Sequence, residues 1–192
     1  TELQLAEQTS KLSEQCVELE RLTLADDLTG LYNRRGLAAV GEQALYRARR
    51  DGTMVALLFI DLDGLKKIND TRGHGAGDAA LRGLASVIGS TIRESDIAAR
   101  IGGDEFCILL FDDAGTSVDH VTTRIRDAAG AARATYSLPA DLSISIGVLR
   151  IDARTPGSID ELLAEADKSM YAEKLNKLGN LGTDASSVAA AT

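Results

Sequence analysis

Arg100-Ile101-Gly102-Gly103-Asp104-Glu105-Phe106 is the stretch that organises the rest of this 192-residue chain. Ile97-Ala98-Ala99 stands before it, and the β-prone run Phe106-Cys107-Ile108-Leu109-Leu110-Phe111 follows. Two such runs joined through Gly-Gly predict a tight hairpin, because glycine reaches positive φ without a Cβ clash. The missing side chains at Gly102 and Gly103 also leave room for a phosphate to approach the backbone. Asp104 and Glu105 flank that opening, where carboxylates can hold a divalent cation. Taken alone, the stretch reads equally well as an ordinary Gly-Gly-Asp surface turn.

Working outward, composition narrows the class. The length suits one domain of ordinary size plus an extension. A hydrophobic content of 44% supports a real core, and only 4% aromatic residues makes that core aliphatic. The net charge of -8 argues against a nucleic-acid partner, which needs a basic face to neutralise phosphates. A nucleotide substrate stays open, since a local Lys/Arg cluster and a metal can hold a triphosphate inside an acidic protein. Cys16 and Cys107 fall on a predicted helix and a predicted strand, far apart in sequence, so a disulfide framework is not expected and a reducing compartment is. The longest apolar run, Met54 to Ile60, is too short to cross a bilayer, so no direct membrane insertion is expected. With no secretory signal and a first residue of Thr1, the expected setting is cytoplasmic, or the cytoplasmic part of a longer, even membrane-anchored, protein.

Residues 1–24 lack Gly and Pro and are rich in Glu, Gln and Leu. Leu5, Leu12 and Leu19 recur every seven residues, with Thr9, Cys16 and Thr23 at the complementary seam positions. That stripe predicts an N-terminal coiled-coil helix pairing with its own copy. A lone amphipathic helix packed on its own domain is the other reading of it. Residues 25–180 then alternate helices and strands. Helices are predicted from Asn33 to Arg50, Asp78 to Ile92, Ser117 to Ala134 and Ile159 to Leu178, and strands at Met54 to Ile60, in the hairpin and from Leu142 to Ile151. Residues 181–192, rich in Ala, Ser and Thr, are expected to form a disordered tail. The fold class is therefore α/β of the α+β kind, a mixed sheet with helices packed against it.

Asp61 follows directly after the buried run, and packing explains it poorly because an unpaired buried charge is costly. If that strand lies beside the hairpin, Asp61 and Asp104 converge on one point, which suits Mg²⁺ with its preference for hard oxygen ligands.

Several segments, in order, resemble one family. Arg100 to Phe106 matches the signature that names the GGDEF family, the diguanylate cyclases. Asp27-Leu28-Thr29-Gly30-Leu31-Tyr32-Asn33-Arg34-Arg35 resembles its opening motif, and Asp61-Leu62-Asp63-Gly64-Leu65-Lys66-Lys67-Ile68-Asn69-Asp70 its first metal strand and following helix. Gly73-His74-Gly75 with Gly77-Asp78 resembles its guanine-side loop, and Ser145-Ile146-Gly147-Val148 with Ala166-Asp167 and Met170-Tyr171 its C-terminal strand and helix. The resemblance implies a largely antiparallel sheet in a palm-like, ferredoxin-related core shared with nucleotide cyclases and polymerases.

It also implies an activity: condensation of two GTP into cyclic di-GMP and two pyrophosphates, by a homodimer in which two active sites face each other. Metals, Mg²⁺ or Mn²⁺ and two per active site, fall to Asp61, Asp104 and the Leu62 carbonyl. Asp104, Glu105, Lys66 and Arg100 are the implied catalytic set, the two cations neutralising phosphates. Asn69, His74, Asp78, Gly102, Gly103 and Lys174 are the implied substrate set. An Asp can accept from both N1–H and the 2-amino group of guanine, and an Asn amide can donate and accept. Arg93-Glu94-Ser95-Asp96 matches the family's product-binding inhibitory motif in residues and spacing, with Arg124 where a second arginine is expected. On their own, Lys66 reads as a solvated helix face, His74 as a loop histidine and Arg93 with Asp96 as a helix-end salt bridge; His120 matches no motif. The family often closes its last helix with Ala-Lys, two variable residues and Gly-Arg-Asn. Here Glu173-Lys174 leads into Lys177-Leu178-Gly179, so leucine takes the arginine position, and Lys177 is the candidate replacement for that phosphate contact. A sensory domain upstream is the implied source of regulation. The alternative is a catalytically weak module that senses GTP or cyclic di-GMP.

Overall fold

The computed structural model describes residues 24–112, 118–135, 143–152 and 157–189. Five strands form one sheet in the order β1-β3-β4-β2-β5. They are β1 (Tyr32–Asn33), β2 (Met54–Asp63), β3 (Ile97–Arg100), β4 (Glu105–Asp112) and β5 (Ser143–Ile151). The helices are α1 (Arg34–Asp51), α2 (Leu65–Arg72), α3 (His74–Thr91), α4 (Val118–Thr135) and α5 (Ile159–Ala189). β2 pairs antiparallel with β4 and β5, β3 pairs antiparallel with β4, and only β1 joins in parallel. The mixed, largely antiparallel sheet expected from sequence is present.

β2 is central because its run Val55 to Leu62 is buried on both faces. Leu58, Ile60 and Leu62 face one core, shared with Phe106, Ile108, Ile146, Leu81, Leu84, Ile88 and Ile125. Leu57 and Phe59 face a second, shared with Cys107, Leu109, Leu37, Leu45, Leu162 and Met170. Helices α2, α3 and α4 therefore cover one side of the sheet, and α1 and α5 the other. Each fully buried Leu or Ile contributes roughly 1.5–3 kcal/mol relative to an exposed one. Gly147 lets α5 lie directly on β5, since a Cβ there would collide with the Ala166 carbonyl and Met170 N. Asn33 caps α1 by accepting the Gly36 N–H at 2.8 Å.

Four differences from the sequence expectation have physical causes. The buried strand does not stop at Ile60: Asp61 to Asp63 stay in β2, paired with Ser145 to Ser143 of β5, because ladder bonds extend past the apolar run. α3 starts at His74 rather than Asp78, with buried Gly77 seated against Asn69 despite the poor helix propensity of glycine. The segment expected as a tail continues α5 as far as Ala189, since Gly179 and Gly182 cost about 1 kcal/mol each and do not break a helix as proline does. Gly102 and Gly103 are absent from the glycines with positive φ, so the hairpin does not need them for backbone reach. A Cβ at Gly102 would meet the Glu105 carboxylate, the flexible end of that side chain, which would have to swing aside. The heptad helix, Cys16 included, lies outside the described residues except for Leu24. Among the described residues no helix is long and apolar enough to cross a membrane.

Candidate active site

The site begins where one face of β2 changes character. Val55, Leu57 and Phe59 give way on the same face to Asp61 and Asp63, because side chains alternate along a strand. Register sets Asp61 between Glu105 of β4 and Ser145 of β5, and Asp63 opposite Ser143. The connection Ile101–Asp104 is held against this row, with Leu62 N–H donating to the Asp104 carbonyl at 3.0 Å and Ile101 N–H to the Glu105 carbonyl at 2.9 Å. The neighbouring strands thus bring Asp61, Asp104 and Glu105 to one end of the sheet.

The carboxylates in this row are not equivalent. Burial pushes Asp61 above the ordinary aspartate range, and the negative charges of Asp104 and Asp63 add to that, while Lys174 opposes it. Lys174 Nζ lies 2.7 Å from Asp61 Oδ1 and 3.7 Å from Asp63 Oδ1. Glu105 is also raised, first by burial and then by Asp104, Asp167 and Asp61. Burial acts to raise Asp63 too, but hydrogen bonds from Ser143 (2.8 Å) and Ser145 (2.9 Å) and the charges of Lys177 and Lys174 outweigh it and leave Asp63 lowered. Asp63 is satisfied by its surroundings, whereas Asp61, even with Lys174 beside it, and Glu105 remain raised by burial and by the neighbouring carboxylates. A divalent cation fits that donor set. Among the described residues no three His, Cys, Asp or Glu side chains form a metal-holding group. Two carboxylates and a main-chain carbonyl make an incomplete shell, of the kind Mg²⁺ fills with water and substrate phosphates.

The other expected residues surround this end of the sheet. Lys66 is exposed on the first turn of α2, which Gly64 opens in the left-handed region at φ 86°. Asn69 and Asp78 are half-buried and drawn together where α2 meets α3, with the Asn69 Oδ1 against Gly77; His74 is exposed. Arg100 is tied to the loop and to Asp26. Its Nε and Nη2 donate to the Gly103 carbonyl at 3.2 and 2.7 Å, and its Nη1 to Asp26 at 3.2 Å, so it fastens the loop. Asp26 in turn accepts from the Thr29 hydroxyl at 2.6 Å. Space beside the loop lies at Gly103, where a Cβ would meet nothing within 4 Å, and not at Gly102, which Glu105 covers. Lys177 is drawn onto the sheet edge: it donates to the Ile144 carbonyl and to Ser145 Oγ at 3.1 Å, pairs with Glu173 at 3.2 Å and reaches Asp63 Oδ2 at 3.4 Å.

A second constellation sits apart from the carboxylates. Arg93, Asp96 and Arg124 line one cavity of about 80 Å³ with Thr91, Leu110, Phe111, Val118 and Val121. Asp96 also has a structural task, accepting the Arg93 N–H at 2.9 Å and the Phe111 N–H at 3.1 Å. Asp96 thus caps the Arg93 N–H while sharing the cavity wall with Arg93 and Arg124. His120 is exposed, as expected.

The family described as "Diguanylate cyclase, GGDEF domain" matches residues 23–180. The chain belongs to the GGDEF family. It is 36% identical over 160 residues to the probable diguanylate cyclase DgcJ of Escherichia coli K12, covering 83% of this chain and 31% of DgcJ. It is 33% identical over 179 residues to the response regulator PleD of Caulobacter vibrioides, covering 91% of this chain and 39% of PleD. The chain thus spans less than half the length of either relative. The crystal structure of the GGDEF domain of DgcB from Caulobacter crescentus, in complex with c-di-GMP, is similar with a TM-score of 0.71 and 30% identity, over 80% of this chain and 91% of that one. These GGDEF neighbours agree with the sheet and helix arrangement. Sequence reasoning passed over several residues of this GGDEF site: Asp26, Asp63, Arg126, Ser143, Ser145 and Glu173. For three of them the signal was present, in the Asp61-x-Asp63 spacing and the alternation of Ser143 and Ser145.

Proposed function

We propose that this GGDEF domain is the catalytic domain of a diguanylate cyclase, condensing two GTP into cyclic di-GMP and two pyrophosphates. The observation that carries the reading is the convergence of Asp61, Asp104 and Glu105 at one end of β2, set by its register with β4 and by the Leu62 N–H bond to the Asp104 carbonyl. Asp61, Asp104 and the Leu62 carbonyl would hold the divalent metals, Mg²⁺ or Mn²⁺ and two per site by family resemblance. When bound, these would polarise the α-phosphate and lower the pKa of the attacking 3′-hydroxyl. Asp104 receives the hydroxyl proton. Lys66 and Lys174 neutralise triphosphate charge, and Arg100 keeps the Gly103 backbone in place for the phosphates. Asp78 and Asn69 read guanine, and an adenine would leave their polar groups unpaired. One GTP per domain requires two domains face to face, with residues 1–24 as the pairing helix that passes on the state of an upstream sensory domain. Product binds at Arg93, Asp96 and Arg124 and restrains turnover.

A GTP or cyclic di-GMP sensor without turnover is the second reading, favoured by Leu178 at the arginine position and by Lys177 facing the sheet. Incubation of the chain with GTP and Mg²⁺, followed by chromatography, separates the two. The cyclase reading expects cyclic di-GMP from the wild type and none from Asp104→Ala at equal fold content. Binding of GTP with no product in either protein would replace it with the sensor.

A further inference from the structure

β5 is the last strand of the sheet, and an edge strand leaves peptide groups without ladder partners. Over Ile144 to Ile146 side chains from both helical layers take those places. Glu173 Oε1 accepts the Ile146 N–H at 3.3 Å, while Lys177 Nζ and Arg126 Nη1 donate to the Ile144 carbonyl, the latter at 3.4 Å. Glu173 Oε2 accepts from Arg126 Nη2 at 2.7 Å, and Glu173 Oε1 pairs with Lys177 at 3.2 Å. Arg126 belongs to α4 on one side of the sheet, and Glu173 and Lys177 to α5 on the other. The cluster therefore wraps the sheet edge and ties the two layers together. It also brackets Lys174 in sequence, since Glu173 precedes that lysine and Lys177 lies about one turn beyond it.

We propose that Glu173 is a positioning residue for Lys174: by clamping α5 to the β5 edge and to Arg126, it sets the Lys174 ammonium on Asp61 and so governs how tightly nucleotide phosphates are held. The inference rests on the cyclase reading for its substrate, but not for its geometry. A lysine side chain loses much rotamer freedom when it holds an anion, and fixing its helix turn in advance reduces that loss on binding. Arg126 meets Glu173 in a charge-assisted contact, the kind that fixes orientation as well as proximity. Among the described residues Glu173 has no hydrogen bond or ion pair to the carboxylate row, although its partner Lys177 lies 3.4 Å from Asp63 Oδ2. The effect of Glu173 on nucleotide passes through Lys174.

The test uses the full chain with Glu173→Ala and Glu173→Gln and has two readouts. The first needs no nucleotide: acetylation of Lys174 by a succinimidyl ester, followed by peptide mass spectrometry. Labelling of Lys174 is expected to speed up several-fold in Glu173→Ala, because an amine no longer held against the Asp61 carboxylate is open to the reagent. The second is steady-state kinetics with GTP. Glu173→Ala should raise KM roughly five- to tenfold with kcat within about twofold, and this effect should vanish in a Lys174→Ala background, as for residues acting through one contact. Glu173→Gln keeps the Ile146 hydrogen bond and loses the ion pairs, so it should shift both readouts the same way by less, and it serves if the alanine variant does not fold. Unchanged Lys174 labelling overturns the proposal. So does faster labelling with an unchanged KM, or a KM effect that persists without Lys174. A chain that makes no cyclic product defeats the cyclase reading, and the labelling result still decides the positioning.

Discussion

The two faces of β2 part company at residue 61. On one face Ala56, Leu58, Ile60 and Leu62 stay apolar and buried to the end of the strand. On the other, Leu57 and Phe59 are core, and Asp61 and Asp63 follow in the same row. One strand thus anchors the fold with its even residues and builds a charged site with the last of its odd ones. The site inherits the rigidity of the core because no hinge separates them. Its cost is local, an Asp61 kept above its ordinary range by burial and by its neighbours' charges.

The comparison breaks most visibly at Asp61. Asp61→Asn is expected to lower cyclase activity at least about a hundredfold without rescue by modest extra Mg²⁺, as for loss of an electrostatic stabiliser of the reaction. Its thermal midpoint should be unchanged or slightly higher, because the wild-type carboxylate is ionised at a burial cost. A fall in both activity and midpoint would make Asp61 a fold residue. Leu58→Ala on the opposite face should do the reverse, costing about 2–5 kcal/mol in denaturant unfolding while activity per folded molecule persists. Loss of activity in the remaining folded protein would join the two faces functionally.

Smaller effects separate the carboxylate row from the second cavity. Arg93→Ala should leave the initial rate within about twofold and delay the slowing of progress curves as product accumulates, since product that no longer binds this cavity cannot disfavour the productive arrangement of the domains. Identical slowing in wild type and variant would leave Arg93 a structural residue. The smallest expected effect concerns pH. Burial acts to raise Glu173, but hydrogen bonds and charges from Arg126, Ile146 and Lys177 outweigh it and hold the residue below the ordinary glutamate value of 4.5. A lowered folded value gives stability that is present above the ordinary range and lost as pH falls through the lowered one. The gap in thermal midpoint between wild type and Glu173→Gln should therefore be full at neutral pH and close in acid. A gap independent of pH would contradict the ion pairing.

Much of this was legible in the sequence because it rests on period and spacing. The apolar run from Met54 located a buried interior strand, and the Gly-Gly stretch located the hairpin beside it. What escaped depends on tertiary neighbours. The inward turn of Lys177 follows from an edge strand whose free carbonyl at Ile144 no local pattern reveals. The Arg100 contacts with Asp26 and Gly103 join residues far apart in the chain. The Glu105 carboxylate folds back over Gly102, a contact that the sequence does not reveal.

The most direct test is product stoichiometry from the purified wild-type chain given GTP and Mg²⁺ alone. The account predicts one cyclic dinucleotide for every two pyrophosphates released, from GTP and not from ATP. Pyrophosphate released with only linear products, or GTP recovered intact after prolonged incubation, would contradict it.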